Sequence, residues 1–242
     1  MTALLEVRNL SRSFGALTAV RDVSLSVQPG ELVGLIGPNG AGKSTFYNLI
    51  AGALAPTSGE IVFEGRPISR WKPYQVARAG IARTFQIPKP YRHLSVVENV
   101  MLSALLHDST VAAARRSAAA VLSDVGLADY ADASVGVLTA GLLKRLEVAR
   151  ALALKPSLVL FDEIMAGLTP TEVKVMTGLV AGLPARGITV IWVEHVLYAI
   201  MSTAQRIMVL HRGELIADGP PETVSKDPAV IKAYLGEEMS VA

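Results

Sequence analysis

Apolar and polar residues alternate with a strand's period of two at both ends of the chain. Leu4 to Val7 and Ala19 to Val27 follow it, the second placing Val23, Leu25 and Val27 on one face. Glu31 to Ile36 reads as a short buried strand, and Glu60 to Phe63, Leu158 to Phe161 and Ile188 to Val193 as further strands. Gln28-Pro29-Gly30 and Pro56 to Gly59 are turns, Gly37 to Gly42 is a loop, and a helix is predicted from Lys43 to about Leu54. The middle third changes character. Val96 to His107, Val111 to Val125 and Gly141 to Leu154 are alanine-rich or repeat every 3.6 residues, the mark of helices. Thr169-Pro170-Thr171-Glu172 starts another helix, with Thr169 as N-cap, Pro170 in the first turn and Glu172 completing a capping box. Arg206 to Leu210 and Glu214 to Asp218 predict a hairpin, and Ala229 to Leu235 a last helix. The expected fold is α/β: a mainly parallel sheet, an antiparallel β portion and a helical lobe. The expected organisation is one domain over 1–242, with a core from 1–90 and 155–242 and the helical lobe at about 91–154.

Composition narrows the class. The 242 residues suffice for one α/β domain with a real core. Hydrophobic residues make up 51% and charged ones 18%, and the mean hydropathy is +0.41. No apolar run reaches the ~18 residues of a membrane span; the richest, Ile188 to Met201, is broken by Glu194 and His195. The excess apolarity belongs either to an Ala- and Leu-rich core or to surface kept for partner proteins. A net charge of +2 without a long basic run implies no nucleic-acid partner. The absence of cysteine excludes disulfides and thiolate metal sites. Met1 to Arg8 lacks the layout of a secretory signal, which places the chain in the cytosol, free or docked on a membrane.

Two motifs carry chemistry. Gly37-Pro38-Asn39-Gly40-Ala41-Gly42-Lys43-Ser44 matches G-x-x-x-x-G-K-[ST], the Walker A phosphate loop. Glycines let the backbone wrap so that N–H groups converge on phosphate oxygens, and the helix that follows aims its positive end at the same anion. Lys43 would add a charge near the β- and γ-phosphates, and Ser44 a hydroxyl for Mg²⁺. The motif means nucleotide binding, and is shared by GTPases, kinases, helicases and transport ATPases. The second motif is Leu158 to Phe161 followed by Asp162 and Glu163, an apolar strand ending in two acids where ligands of α/β sheets gather. Asp162 would hold Mg²⁺, and Glu163 would orient or deprotonate the water that attacks the γ-phosphate.

From about Leu4 to Leu235 the sequence resembles the ATP-binding cassette (ABC) family, whose nucleotide-binding domain is a P-loop core with a RecA-like sheet. The resemblance is carried by Thr84-Phe85-Gln86, similar to the family's Q-loop, by Val193-Glu194-His195, similar to its switch segment, and by Lys144 to Leu152 after the signature position. It implies ATP and Mg²⁺ as cofactors, bound by residues 37–45 including Thr45. Gln86 would reach the metal, His195 the γ-phosphate, and Phe14 of Ser13-Phe14-Gly15 would stack on adenine. The subgroup looks like the importers of branched-chain amino acids, whose relatives also carry urea, short amides or aromatic acids. That likeness rests on Arg83 to Gln86, Leu94 to Val100, Ala166 to Pro170, the switch segment and the ending Ile231 to Gly236. The implied partners are transmembrane permease subunits, a second ATPase subunit of the same or another chain, and indirectly a periplasmic solute-binding protein. The implied place is the cytoplasmic face of the inner membrane.

The chain departs from the family at two points. Where the signature reads Leu-Ser-Gly-Gly-Gln, it has Leu138-Thr139-Ala140-Gly141-Leu142; Thr139 keeps a hydroxyl and Gly141 a glycine, but Ala140 adds a methyl and Leu142 loses an amide. Thr169 stands where relatives carry Asp or Asn. Both changes are expected to weaken the site lent to a partner's ATP, leaving this chain's own loop intact. Two further readings stand beside a transport ATPase: a regulatory cassette that binds without hydrolysing, and a non-transport ABC ATPase. No second cassette or basic arm marks the latter, and no Asn-Lys-x-Asp segment marks a GTPase.

Overall fold

The computed structural model describes residues 2–194 and 196–238, the last four by backbone alone. Strands β1 (Leu5–Phe14) and β2 (Leu17–Val27) form a long antiparallel hairpin with Phe14 opposite Leu17 and Leu5 opposite Val27. Gly15, at φ +59°, makes its tip. Strand β3 (Leu32–Ile36) leads into the loop before α1 (Lys43–Ile50), and β4 (Ser58–Phe63) and β5 (Arg66–Pro67) follow. Helix α2 (Pro73–Ala79) and β6 (Ile81–Arg83) come next, then α3 (Val96–Ala104), α4 (Val111–Asp124) and α5 (Ala140–Leu152). The chain continues through β7 (Leu158–Asp162), α6 (Pro170–Ala181), β8 (Thr189–Val193), α7 (Leu197–Thr203) and β9 (Arg206–His211). It closes with β10 (Glu214–Gly219), α8 (Pro221–Val224) and α9 (Pro228–Glu238).

Among the described residues the strands form a four-stranded antiparallel sheet, β2-β1-β4-β5, and a six-stranded sheet, β10-β9-β3-β8-β7-β6. In the larger sheet β9, β3, β8, β7 and β6 run parallel and only β10 is antiparallel. The loops that leave β3, β6, β7 and β8 therefore gather along one edge. Side-chain alternation splits the core in two. Val33, Leu35, Leu158, Leu160, Ile191 and Met208 face α1 and the antiparallel sheet. Leu32, Val159, Phe161, Val190, Trp192 and Ile207 face a cluster that continues into α3 to α7. Burial on both faces explains why β3, β7 and β8 read as unbroken apolar runs. Helix α3 packs on α4 and α5, with Ala114, Ala118 and Leu122 of α4 turned inward at a helical spacing.

Several predicted boundaries move. Helix α1 stops at Ile50 instead of about Leu54, because Gly52 turns left-handed at φ +71° and the N–H groups of Ala53 and Leu54 both donate to the Asn48 carbonyl. The first strand runs on to Phe14 past Val7, since its polar residues Ser11 to Ser13 lie on a half-exposed hairpin rather than in a loop. The helix predicted to reach His107 ends at Ala104, and that predicted at Gly141 to Leu154 spans Ala140–Leu152. Helices α2, α7 and α8 and strands β5 and β6 are additions. The capping box at Thr169 forms as expected, its hydroxyl accepting from Glu172 N and Glu172 accepting from Thr169 N. No helix among the described residues is long and apolar enough to cross a membrane.

Candidate active site

Strand β3 is buried in mid-sheet, so the loop after it starts from a fixed point. Gly37, Gly40 and Gly42 take positive φ values of 150°, 78° and 103°. A Cβ on Gly37 would stand 2.1 Å from the Leu210 carbonyl oxygen of β9, and one on Gly42 2.3 Å from that of Ala19 in β2. These two glycines let the loop lie flat on both sheets. Asn39 and Gly40 remain exposed at its rim, and Ser44 is exposed one residue into α1. Lys43, only 8% exposed, donates from Nζ to the carbonyls of Gly37 at 2.5 Å and Pro38 at 3.0 Å. Its ammonium is folded into the loop it serves.

A cavity of ≈ 300 Å³ opens here, lined by Leu17, Ala19, residues 39–45 and Glu163. The second acid of the pair thus shares one space with the phosphate loop. Its backbone is unusual for a side-chain-bearing residue, at φ +50°. The N–H of Glu163 donates to the Val193 carbonyl at 2.9 Å, its own carbonyl accepts from Lys144 Nζ at 3.0 Å, and its carboxylate accepts from Gln86 Nε2 at 2.5 Å. Gln86, predicted from the sequence, therefore meets Glu163 directly.

Asp162 ends β7 and is buried. Its backbone N–H donates to Thr84 Oγ1 at 3.1 Å, and its carboxylate accepts from Arg83 at 3.2 Å. Arg83 also donates to Asn48 Oδ1 of α1 at 2.5 Å. Burial pushes the Asp162 carboxyl above the ordinary carboxylate range, and Arg83 beside it opposes that rise. Beneath the acids, Tyr47 of α1 is fully buried; its hydroxyl donates to the Ile191 carbonyl at 2.7 Å, with the Phe161 carbonyl at 3.2 Å as a second acceptor. Burial holds this phenol well above its usual pKa, so it stays a donor that pins α1 to β7 and β8. Replacing Tyr47 by Phe is expected to cost about 0.5–1.5 kcal/mol, because one buried hydrogen bond to strand carbonyls is lost. A lowered urea midpoint at constant m would show it.

The other predicted residues fall as follows. Phe14 is 43% exposed at the hairpin tip, not in the core, with the Arg12 guanidinium 4.6 Å from its ring centre. Leu17, opposite it in register, lines the cavity. Thr139 caps α5, its hydroxyl accepting from Leu142 N at 3.3 Å, and Ala140 is exposed beside it. Gly141 is buried against α6: a Cβ there would stand 2.0 Å from Glu172 Oε1. His195 lies outside the described residues. Sequence reasoning missed Tyr47, Lys144 and the pairing of Arg83 with Asp162. It also missed the buried Glu194 carboxylate, which accepts from Met165 N at 2.7 Å. Only the burial of polar and charged groups in tertiary structure marks them.

Two family models match the chain, one described as ABC transporter over residues 20–166 and one as branched-chain amino acid ATP-binding cassette transporter over 214–239. The high-affinity branched-chain amino acid transport ATP-binding protein BraF of Pseudomonas aeruginosa is 38% identical, over 97% of this chain and 98% of its own. The lipopolysaccharide export system ATP-binding protein LptB of Acidithiobacillus ferridurans is 34% identical over the whole of both chains. Among solved structures, the ADP conformation of MJ1267, an ATP-binding cassette of an ABC transporter, superposes with a TM-score of 0.88 at 31% identity, covering 98% of this chain and 100% of that one.

Proposed function

The chain belongs to the ABC transporter family as an ATP-hydrolysing subunit, and from that premise we propose that it powers uptake of branched-chain amino acids or related small solutes such as urea, short amides or aromatic acids. What carries the hydrolytic part is the single cavity shared by the phosphate loop and Glu163. The cargo class and the inward direction are supported by the subgroup-specific match at 214–239 and by relatives such as BraF. The export relative LptB is the competing precedent for direction.

In this reading backbone N–H groups of the loop from Asn39 to Thr45 and the Lys43 ammonium hold the phosphates, and Phe14 stacks on adenine. Residues 91–154 act as the helical lobe of a single cassette. The donor set fits Mg²⁺, which takes hard oxygens from one or two carboxylates and the rest from phosphate and water. The exposed Ser44 hydroxyl and the Asp162 carboxylate would supply the protein's share, and the Gln86 side chain, which meets Glu163, would reach the ion. When bound, the ion neutralises charge on the phosphates. Glu163 orients or deprotonates the attacking water, and His195 contacts the γ-phosphate. Thr139 and Gly141 serve the ATP of a second subunit across a head-to-tail dimer. Permease subunits anchor the assembly to the cytoplasmic membrane face, and a periplasmic binding protein delivers solute.

The test is reconstitution of the chain with its permease subunits in liposomes. Accumulation of labelled leucine, isoleucine or valine driven by ATP on the cassette side is expected; outward movement of cargo would refute the importer reading. A second result concerns the departed signature. Changing Thr139, Ala140 and Leu142 to Ser, Gly and Gln is expected to raise the ATPase rate of the assembled complex about two- to tenfold, on the scale of one ordinary net hydrogen bond. An unchanged steady-state rate would mean the native residues serve equally well.

A further inference from the structure

Lys144 lies on α5, five residues beyond the Thr139 cap, and is only 6% exposed. Its ammonium donates to the backbone carbonyl of Gln86 at 2.5 Å and to that of Glu163 at 3.0 Å. The same face of α5 carries Glu147 and Arg150. Glu147 accepts from Lys89 N at 3.1 Å, and Arg150 donates to the Lys89 carbonyl at 3.1 Å while standing 5.3 Å from the Tyr91 ring centre. Helix α5 thus grips the segment 86–91 along its length, but only Lys144 reaches the acid as well.

That second contact bears on chemistry. Glu163 sits in a left-handed backbone conformation, which a residue with a side chain keeps only when its surroundings fix it. One side of that turn is fixed by the Val193 carbonyl, the other by Lys144. The Gln86 side chain, whose backbone Lys144 also holds, meets the Glu163 carboxylate. We propose that Lys144 is a positioning residue for hydrolysis: it ties α5 to both Gln86 and Glu163 and thereby aims the Glu163 carboxylate at the phosphate-loop cavity. An ammonium is suited to the task, since a charged donor binds carbonyls more strongly in a partly desolvated place than a neutral one. The proposal rests on the reading of Glu163 as the group that activates water.

The test uses the full chain with MgATP and compares Lys144→Met, Lys144→Arg and Glu163→Gln. For Lys144→Met, kcat is expected to fall about 10- to 100-fold, the cost of misplacing a reacting group by about 1 Å. KM and the Kd for a fluorescent ATP analogue should stay within about threefold, because the phosphate loop is untouched. Hydrogen exchange at amides 85–91 should accelerate. Lys144→Arg, which keeps charged donors able to span two carbonyls, should recover most of kcat. If Lys144→Met does not fold, Lys144→Gln replaces it with the same expected readouts. A kcat within about twofold of wild type, or a loss confined to KM and Kd, overturns the proposal, as does an arginine variant no better than the methionine one. Wild-type turnover in Glu163→Gln would instead remove the reading of Glu163 itself.

Discussion

Replacing Glu163 by Gln is expected to slow ATP hydrolysis by about 10²- to 10⁴-fold, the usual contribution of a general base, while ATP still binds. The geometry makes the exchange clean. A glutamine carbonyl can accept from Gln86 Nε2 as the carboxylate does, and the backbone bonds to Val193 and Lys144 do not involve the side chain. Shape and contacts persist, and only the ability to take a proton is lost. In a nucleotide-driven dimer, a variant that binds without turning over should accumulate the closed form, visible as an ATP-dependent doubling of mass in size-exclusion chromatography. A regulatory cassette that never hydrolyses predicts the opposite pattern: no difference in turnover between wild type and variant. That outcome would reassign the cavity to binding alone.

Changing Lys43 to Ala should act on the earlier step. A charged donor to a phosphate contributes about 1.5–3 kcal/mol, so the Kd for ATP is expected to rise about 10- to 100-fold. Lys43 is nearly buried and its ammonium rests on the Gly37 and Pro38 carbonyls. Truncation therefore also frees two loop carbonyls, and a modest fall in melting temperature should accompany the weaker binding. Titration with a fluorescent ATP analogue separates the effects. An unchanged Kd would mean that the backbone cradle holds the phosphates without help.

Legibility from sequence followed the distance over which each feature is encoded. The phosphate loop is contiguous, and its glycines are required by clashes with neighbouring backbone at Gly37 and Gly42, so it was readable from its spacing alone. The acids at the end of β7 were readable because an apolar run stops on them. Helix α2 and strand β6 were not, being too short for any period to register. Helix α7 follows β8 so closely that its Leu197, Ala199 and Ile200 merge with one apolar stretch. The grip of Lys144 depends on chain segments far apart in sequence, and on carbonyl groups that every residue has. The likeness to a family supplied what local pattern could not, the meaning of Gln86. It included Lys144 and Arg83 among the matching residues but gave no sign of what they hold, and of Tyr47 it gave none.

Strand β3, which delivers the phosphate loop, pairs with β8 and β9 and with no strand made near it in time. On a ribosome it emerges early and finds no partner until residues 189–211 are synthesised. A nascent chain halted before that point carries an apolar strand with two open edges, the kind of species that chaperones guard and that otherwise aggregates. Truncation from the C-terminus past β8 should therefore remove solubility before it can be asked about nucleotide, and the rate of refolding should be set by this late closure across the length of the chain.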